Sequence, residues 1–583
     1  MEIDMDVNTH RFEGTQQIVY HNNSPDTINR VFYHLYFNAF QPGSMMDVRS
    51  RSIEDPDKRI GTRISKLSPD LYGYHKIDLL KQDGKKLKFR INGTVMEVSL
   101  ARPILPGAKS TFTMEFNSQV PLQIRRSGWK NAEGIEFSMA QWYPKMAEYD
   151  EDGWHPDPYI AREFYPVWGN YDVTINIDST YVLGGTGTLQ NATSVGHGYC
   201  KASQVKRPNS KKLSWHFTAK NVHDFVWAAD PDYKHVTYQM KDGPLLHFLY
   251  QSKDTLTKHW KDFPERCAKG FAYLSEHFGK YPFPQYSVIQ GGDGGMEYPM
   301  ATLITGRRKP GSLFGVTMHE AAHSWYQMLL SSNESRYPWL DEGFTNYAGN
   351  EAYNKVMFPK GKGDPHKGSF ISYTDLARSG KEEPMSTHAD HYHTNFAYGK
   401  ASYSKGELFL VQMKYIVGEE TFNKGMKRYF REWSFKHPDP SDFVRIMEKE
   451  SGMVLDWYLQ YWMNSTKTID YGVKGIKGTS KESTIVLERI GLMPMPVEMV
   501  VEFENGKSET YYIPMGLMNG SKEGEFTELS PWAWVNTIYE VPLKKGADDI
   551  KKVYLNFERN VADINPENNS MELDHSYEYY FMR

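Results

Sequence analysis

The spacing of apolar residues changes twice along this chain, and this change constrains the fold more than any other feature of the sequence. Up to about residue 232, apolar and polar residues alternate in short runs broken by glycine, proline, asparagine and aspartate, which indicates β-strands. From residue 233 to 467, apolar residues recur three and four apart, which indicates helices. Alternation returns from residue 468. The sequence therefore predicts a multidomain α+β protein, with a β-rich N-terminal domain over 1–232, a mostly helical domain over 233–467 and a C-terminal β-sandwich over 468–583.

Length and composition agree with several globular domains and exclude other classes of protein. A chain of 583 residues exceeds the size at which one hydrophobic core keeps growing. Its 68 basic and 72 acidic residues leave a formal charge of −4, and no dense basic tract with interleaved aromatics occurs, so nucleic acid is not an expected partner. No apolar run reaches the roughly 18 residues of a membrane span. With only Cys200 and Cys267, neither a disulfide framework nor a thiolate metal site is expected.

The first residues already follow the pattern of a strand, because Ile3, Met5 and Val7 alternate with acidic neighbours. They lack the basic start and the apolar stretch of a signal peptide. This abrupt start predicts that a targeting segment has been removed, and hence a periplasmic or secreted protein. The low cysteine content also fits a cytoplasmic protein, which is the alternative.

The segment HEAAH at residues 319–323 has the spacing of a zinc site. Ser312 is a candidate cap for a helix that runs through it. On such a helix His319 and His323 lie one turn apart on the same face, so that both imidazoles can bind one metal ion. Glu320 can approach a water molecule beside that ion without binding the metal, and it is therefore the predicted general base.

A catalytic zinc needs a third protein ligand, and Glu342 is the expected one. It lies nineteen residues after His323, in the segment WLDEGF, at the start of another helical pattern. The HExxH motif alone is weak support, because a chain with 20 histidines can contain it by chance. The carboxylate on a second helix favours a metal site with one zinc ion per chain. Asn346 and Glu351, on the same helix, are candidate hydrogen-bond partners for a ligand histidine.

Three motifs together resemble the gluzincin aminopeptidases, the family of aminopeptidase N and leukotriene hydrolase. HEAAH followed by WLDEGF is similar to the family's HExxH, eighteen-residue gap and glutamate. Residues 294–299, GGMEYP, resemble the exopeptidase motif usually written GxMEN. Tyr403, ahead of a Lys-Gly pair, matches the family's catalytic tyrosine. The likeness is specific in the catalytic third of the chain, and elsewhere it concerns the order and character of the domains.

The resemblance implies a thermolysin-like α/β catalytic domain in a zinc-dependent aminopeptidase. Its substrates would be peptides with a free N-terminus. Within the GxMEN-like motif, the resemblance gives Gly294, Gly295 and Met296 to the binding of the substrate backbone. It assigns Glu297 to the binding of the substrate's α-ammonium group, through a charge-assisted contact that only a chain terminus offers.

Two further roles have competing candidates. The resemblance makes Tyr403 the donor to the oxyanion of the transition state, and Tyr398 is the rival candidate. A second residue from the first domain often helps to hold the amine in this family, and Gln141 is favoured over Glu136 for that role. Tyr298 stands where the family usually has asparagine, so the turn after the motif's glutamate is expected to be held differently.

Two other functions fit parts of the sequence. An endopeptidase, or a bifunctional hydrolase, could use the same zinc ion, and cleavage of N-acetylated peptides would distinguish it from an aminopeptidase. The other alternative is a catalytically inactive binding or scaffold protein. Such a protein would have lost a metal ligand, the general base or the tyrosine, and none of these residues is missing from this sequence.

Overall fold

β-Sheets form the N-terminal part of the molecule. The computed structural model describes residues 1–253, 255–361 and 363–573. In the N-terminal part the strands are, in chain order, β1 (Glu2–Asp6), β2 (Arg11–His21), β3 (Ile28–His34), β4 (Tyr74–Gln82), β5 (Lys85–Lys86), β6 (Lys88–Asn92), β7 (Val95–Ile104), β8 (Lys109–Gln119), β9 (Gly128–Trp129), β10 (Phe137–Met139), β11 (Lys145–Met146), β12 (Tyr149–Asp150), β13 (Gly153–Trp154), β14 (Gly169–Asp178), β15 (Val182–Gly185), β16 (Thr188–Leu189), β17 (Lys212–Val222) and β18 (Trp227–Asp230). They form sheets in the orders β16-β17-β14-β1-β2-β8-β4-β5, β15-β18-β10-β9, β11-β3-β7-β6 and β12-β13. Two short helices, α1 (Met45–Ser52) and α2 (Ala192–Val195), lie between these strands.

A five-stranded sheet opens the central part of the molecule and helices follow it. The strands are β19 (Tyr233–Gln239), β20 (Leu245–Gln251), β21 (Gln285–Gln290), β22 (Gly295–Tyr298) and β23 (Ala301–Ile304). Their order is β19-β20-β21-β23-β22, so β22 is an edge strand, antiparallel to β23. The helices are α3 (Phe263–His277), α4 (Pro310–Tyr326), α5 (Pro338–Met357), α6 (Lys367–Arg378), α7 (Asn395–Gly399), α8 (Gly406–Val417), α9 (Glu419–Trp433), α10 (Pro440–Ser451) and α11 (Asp456–Trp462).

Two further sheets form the C-terminal part of the molecule. Their strands are β24 (Tyr471–Gly478), β25 (Ser483–Arg489), β26 (Val497–Phe503), β27 (Ser508–Ile513), β28 (Thr527–Glu528), β29 (Ile538–Leu543), β30 (Ile550–Leu555) and β31 (Ser570–Glu572). The sheet orders are β24-β25-β29 and β28-β27-β26-β30-β31. This succession of β, helical and β regions confirms the predicted fold class, while the residue-level domain boundaries stay a prediction. Across the described ranges, no helix combines the length and the apolar character needed to cross a lipid bilayer.

Proline starts both helices that carry the predicted metal ligands. α4 begins at Pro310 and α5 at Pro338. Proline suits the first helical position, because its φ angle is already helical and the N–H that it lacks would have no partner there. The prediction that Ser312 caps α4 is wrong, since Lys309 precedes the helix and Ser312 lies within its first turn. The start signal in this sequence is the proline.

A π-helical segment, Lys400–Lys405, joins α7 to α8 and contains Tyr403. A π-helix inserts extra backbone into a helical path, and such insertions are frequent at functional sites. α6 and α5 both pack against this segment. The position of Tyr403 is therefore fixed by two neighbouring helices and by the insertion itself.

α5 and α8 meet at a pair of glycines, which brings the helix of Glu342 close to the start of α8. A β-carbon built at Gly343 would lie 2.5 Å from the carbonyl carbon of Gly406 and 2.6 Å from its α-carbon. Both obstacles are backbone atoms, so they cannot rotate out of the way. Glu342 directly precedes Gly343, and Tyr403 lies three residues before Gly406. The contact between the glycines therefore also brings Glu342 close to Tyr403.

Replacing Gly343 by alanine is expected to lower the free energy of unfolding by about 1–3 kcal/mol, because the added methyl group overpacks a backbone contact. The matched control is Gly368→Ala in α6, where a β-carbon would meet no described atom within 4 Å. That change should be neutral or stabilise by up to about 1 kcal/mol, since alanine favours the helix. Urea unfolding of both variants measures the difference. Equal free energies of unfolding would contradict the close approach of the helices.

Candidate metal centre

The three predicted zinc ligands come together on two helices. His319 and His323 lie on the same face of α4, and their Nε2 atoms are 3.2 Å apart. Oε2 of Glu342, from the first turn of α5, lies 3.3 Å from Nε2 of His319 and 3.5 Å from Nε2 of His323. The ligand atoms of all three residues lie within 4.8 Å of one another. The sequence pattern thus gives a compact group of two imidazoles and one carboxylate.

Asp341 orients His323. Its Oδ1 lies 2.5 Å from Nδ1 of His323, and the hydroxyl of Thr345 lies 3.2 Å from the same nitrogen. A proton on Nδ1 that is donated to this carboxylate leaves the lone pair of Nε2 free for a metal ion. The sequence pointed instead to Asn346 and Glu351. Of these, Glu351 pairs with His366 at 3.2 Å, away from the ligand histidines.

The residues of this group fit a zinc ion. Two imidazole nitrogens and one carboxylate oxygen, with room for a fourth partner, form the donor set of catalytic zinc sites. Oε2 of Glu342 is buried and has no hydrogen-bond partner in the described part of the chain. A buried carboxylate oxygen without a donor is costly unless a cation binds it. The cofactor implied by this donor set is therefore zinc, and the assignment of the three ligands stays a prediction.

Glu320 lies beneath the edge strand β22, and Gly295 makes room for it. A β-carbon built at Gly295 would lie 2.0 Å from Oε1 of Glu320. Any other residue at position 295 would therefore displace this carboxylate. Glu320 is only 5% exposed, and burial raises its pKa, an effect that His319 and His323 oppose. The buried carboxylate faces the histidines from the side of the edge strand.

Tyr403 reaches the same group from the π-helical segment. Its hydroxyl donates a hydrogen bond to Oε1 of Glu342, and its ring stacks on His319 with the ring centroids 5.9 Å apart. Tyr398, the rival candidate, lies under the guanidinium of Arg162 at 3.8 Å from its ring centroid. The contact with Glu342 favours Tyr403 as the residue nearest to the metal ligands.

Glu297 belongs to a group of three carboxylates next to the histidines, which we call the acidic cluster: Glu163, Glu297 and Glu334. One oxygen from each lies within 4.8 Å of the others. Oε2 of Glu297 also lies 3.9 Å from Nε2 of His323. The guanidinium of Arg126 donates to Oε1 of Glu163 at 2.5 Å, while Oε2 of Glu163 is buried without a described partner. The cluster thus has more carboxyl groups than its described cationic partner can pair with.

The electrostatics of the acidic cluster favour a bound cation. Burial raises the pKa of Glu297 well above its ordinary value; His323 opposes this shift, and neighbouring carboxylates add to it. Burial also raises the pKa of Glu334 well above its ordinary value, with further increases from Asp341 and Glu163. Carboxylates in such surroundings resist ionisation until an opposite charge arrives. A positively charged group of a ligand would supply it.

Gln141, the predicted second amine ligand, lies beside the motif but is already engaged. Its Oε1 accepts a 2.8 Å hydrogen bond from the hydroxyl of Tyr298, and its Nε2 donates to Asp224 at 3.3 Å. The phenol of Tyr298 thus ties the GxMEN-like segment to the N-terminal sheets. Gln141 as an amine ligand stays a prediction. Glu136, the second choice, lies instead near Asp230, which raises its pKa in addition to burial.

Sequence reasoning missed two members of the acidic cluster. Glu163 comes from the loop between β13 and β14, and Glu334 comes from the loop between α4 and α5. Neither loop has a hydrophobic period or a motif that distinguishes these residues from the other 70 of the chain's 72 acidic residues. The sequence offered one signal for a site residue here, which was the position of Glu334 between the HExxH segment and Glu342.

Comparison with known families agrees with the geometry of the metal centre. Residues 268–462 match the model of the peptidase family M1 domain. Aminopeptidase N of Streptomyces lividans is 25% identical over 304 residues, which cover 48% of this chain and 35% of the relative. Leucine aminopeptidase 2 of Lodderomyces elongisporus is 30% identical over 199 residues, which cover 28% of this chain and 30% of the relative. The matched segments thus span about a third of the length of these curated relatives.

Solved structures show the same fold around this match. The M1 zinc metallopeptidase of Deinococcus radiodurans superposes with a TM-score of 0.56 over 79% of this chain and 91% of that one, at 15% sequence identity. A second structure of that protein, bound to the substrate Tyr-Ser-Ala, gives a TM-score of 0.55 at 14% identity, over 79% of this chain and 91% of that one. At such low identity the likeness concerns the fold. Residues 268–462 of this chain are therefore similar to the peptidase family M1 domain, and the fold around them is that of a solved M1 zinc metallopeptidase.

Proposed function

We propose that this protein is a zinc-dependent aminopeptidase that removes residues from the free N-terminus of peptides. The observation that carries the proposal is the acidic cluster, which lies directly beside the three predicted metal ligands. A substrate's α-ammonium group is the cation that such a cluster fits, because the group is charged at neutral pH and occurs only at a chain terminus. An endopeptidase would have no use for this concentration of carboxyl groups.

The chain's own residues supply the remaining parts of the reaction. Zinc provides Lewis-acid catalysis when it is bound by His319, His323 and Glu342. Glu320 takes a proton from the attacking water molecule and passes it to the departing amine. The hydroxyl of Tyr403, which contacts the Glu342 carboxylate, donates to the developing oxyanion.

The edge strand β22 sets the direction of the substrate. Glu297 holds the amine near one end of the strand, and Glu320 lies beneath Gly295 near the other end. A substrate that is anchored by its amine at Glu297 and follows the strand toward Gly295 therefore runs toward Glu320. Backbone groups of the unpaired edge offer hydrogen bonds to an extended peptide, as in other proteins that bind a peptide by adding a strand.

The names of the relatives support this class of reaction. The curated relatives are named as aminopeptidases, and one solved structure of a protein with this fold holds a tripeptide substrate. One of these names specifies leucine and the other specifies no residue, so the names support the reaction class and leave the preferred first residue open. The activity of the whole chain is proposed on the geometry of the metal centre together with these names.

Acetylating the N-terminus of a peptide substrate is expected to lower kcat/KM by about 100-fold or more, because the acetyl group removes the charge that the acidic cluster holds. Glu297→Gln should lower kcat/KM for the free peptide and leave the acetylated peptide nearly unaffected. The ratio of the two rates is the measurement, since it is insensitive to the fraction of folded enzyme. The matched control is Glu151→Gln, a charge-removing change at an exposed residue of the N-terminal part.

Equal rates on free and acetylated peptides would contradict the aminopeptidase proposal and favour an endopeptidase. Metal content distinguishes the ammonium from a second metal ion in the acidic cluster, whose three carboxylates have the spacing of a metal site. About one zinc ion per chain is expected from the histidine-containing group alone. A value near two would assign the acidic cluster to a metal.

The compartment of the protein stays a prediction from its N-terminal sequence. A periplasmic or secreted location is preferred there, and the cytoplasm is the alternative. Immunoblotting of the native cells' periplasmic, medium and cytoplasmic fractions distinguishes these locations.

A further inference from the structure

A fully buried lysine lies two residues after Tyr403, at the end of the π-helical segment. The side chain of Lys405 is 0% exposed, and its ammonium group donates to Oε1 of Glu382 at 2.7 Å and to the carbonyl oxygen of Ser465 at 3.1 Å. The backbone carbonyl oxygen of the same lysine accepts a 3.1 Å hydrogen bond from the indole N–H of Trp462. Its ammonium group also lies 5.1 Å from the ring centroid of that tryptophan. Lys405 therefore joins the segment that carries Tyr403 to two other parts of the chain.

The partners of this lysine belong to elements that pack against one another beside the π-helical segment. Glu382 lies in the loop after α6, and Trp462 is the last residue of α11. The backbone N–H of Ser386, from the same loop, donates to the carbonyl oxygen of Met463 at 3.3 Å. Tyr373 of α6 packs on the ring of Trp462, with the ring centroids 4.9 Å apart. The lysine thus lies where α6, the loop that follows it and the end of α11 meet.

Stability alone is a poor explanation for an ion pair at this depth. Burial lowers the pKa of the Lys405 ammonium group, and the neighbouring carboxylate of Glu382, which is only 6% exposed, opposes this shift. Taking both charges out of water costs free energy that their attraction only partly returns, so two apolar side chains of similar volume are often at least as stable. The ion pair instead gives direction, because the ammonium group must point at its two oxygen partners. It therefore constrains the path of the π-helical segment.

The path of this segment decides where the hydroxyl of Tyr403 lies. A π-helix joins residues five apart by hydrogen bonds, whereas an α-helix joins residues four apart. Relaxation to an α-helix would remove one residue from the turn and rotate Tyr403 by about 100° relative to α8, away from Glu342. α8 itself is held at Gly406 by its close contact with Gly343. The buried anchor at Lys405 resists the relaxation, because its ammonium group would have to leave both oxygen partners.

We propose that Lys405 is a positioning residue that holds the hydroxyl of Tyr403 in place beside Glu342. The inference rests on the proposed aminopeptidase activity, in which Tyr403 donates to the oxyanion, and it adds a residue that acts through the tyrosine. A donor to an oxyanion is effective when it already stands in place, and a misplacement of about 1 Å can cost about 100-fold in rate. The ion pair with Glu382 and the indole of Trp462 together provide this placement.

The variant Lys405→Met/Glu382→Leu tests the proposal, because it removes both charges and keeps much of the volume of the two side chains. Substrates are a panel of aminoacyl 4-nitroanilides that includes the alanine derivative, and kcat is measured on the one that the wild type cleaves fastest. The kcat of the variant should fall by about 10- to 100-fold, while its KM and zinc content stay close to those of the wild type. Its midpoint of urea unfolding should also stay close to that of the wild type, since an apolar pair replaces the ion pair.

The matched control is Lys414→Met, at a lysine of α8 that is 32% exposed and pairs with Glu419 at 2.9 Å. This variant also loses a lysine from an ion pair, but the pair lies at the surface. Exposed pairs contribute little, so the control should keep the wild-type kcat. Comparing the two changes separates the effect of the buried pair from a general effect of charge.

A double-mutant cycle with Tyr403→Phe shows whether the lysine acts through the tyrosine. Tyr403→Phe alone should lower kcat by about 100- to 1,000-fold, the cost of removing one donor to an oxyanion. In that background Lys405→Met/Glu382→Leu should lower kcat by less than about twofold, because the hydroxyl that it misplaces is already absent. A merely structural role would give the same factor in both backgrounds.

A second variant decides the question if the first does not fold. Trp462→Phe removes the N–H that donates to the carbonyl oxygen of Lys405 and keeps an aromatic ring against Tyr373. It should lower kcat by about 3- to 10-fold, the factor that corresponds to one neutral hydrogen bond. This loss should likewise disappear in the Tyr403→Phe background.

A wild-type kcat in Lys405→Met/Glu382→Leu would overturn the proposal, and so would a wild-type kcat in Trp462→Phe if the first variant does not fold. An equal loss with and without the hydroxyl of Tyr403 would also overturn it. Loss of zinc would do the same, because the pair would then act on the metal ligands. If Tyr403→Phe loses activity and the Lys405 variant does not, the inference fails alone. If the wild type cleaves no member of the panel, the proposed function fails and the inference fails with it.

Discussion

Replacing Glu320 by glutamine is expected to lower kcat by about 1,000-fold, while the variant keeps its zinc. Glutamine has the same shape but cannot accept a proton, and general-base catalysis contributes factors of about 100 to 10,000. The side chain lies under Gly295, where glutamine fills the same space, so the substitution needs no repacking. Initial rates on alanine 4-nitroanilide and zinc content by mass spectrometry measure the two expected results.

The control for this variant is Glu265→Gln, an exposed glutamate of α3 that pairs with Lys269 at 2.9 Å. It should keep both its activity and its zinc. A Glu320→Gln variant that keeps zinc and more than about a tenth of the wild-type kcat would remove Glu320 from the role of general base, because general-base catalysis contributes at least about 100-fold. Loss of zinc in that variant would instead indicate that Glu320 binds the metal.

Replacing His323 by glutamine is expected to reduce bound zinc from about one ion per chain to near zero after dialysis, and to abolish activity with it. The physical reason is the fixed orientation of this ring. His323 is fully buried, and Asp341 and Thr345 hold its Nδ1, so that Nε2 faces the other two predicted ligands. An amide in its place cannot restore the imidazole ligand. Zinc analysis and a thermal melt with added zinc measure the loss, since a metal that binds only the folded state raises its Tm.

The control is His393→Gln, whose side chain is 89% exposed and pairs with Glu383. This variant should bind zinc and respond to added zinc like the wild type. If His323→Gln kept stoichiometric zinc, the metal would have to bind elsewhere. The acidic cluster would then be the alternative site, because its member Glu297 lies next to His323.

The local parts of the metal centre could be predicted from sequence because helical geometry encodes them. His319 and His323 are four residues apart on one helix, so their side chains share a face whatever the rest of the chain does. The order of β, helical and β regions likewise follows from the period of the apolar residues, which reflects the faces that each element buries. Glu342 and Tyr403 were found through motifs, and the structure places both beside His319.

The charge arrangement that gives the site its proposed specificity was decided by tertiary structure alone. Glu163 lies 134 residues before Glu297 in the sequence, in a loop without any period, and it meets Glu297 because the N-terminal sheets pack against the edge of the central sheet. A periodic pattern records which face of an element is buried, but it does not record which distant loop arrives at that face. The sequence by itself therefore determined the order of the folding units and predicted the metal ligands, and the packing of those units determined which charges lie beside the predicted ligands.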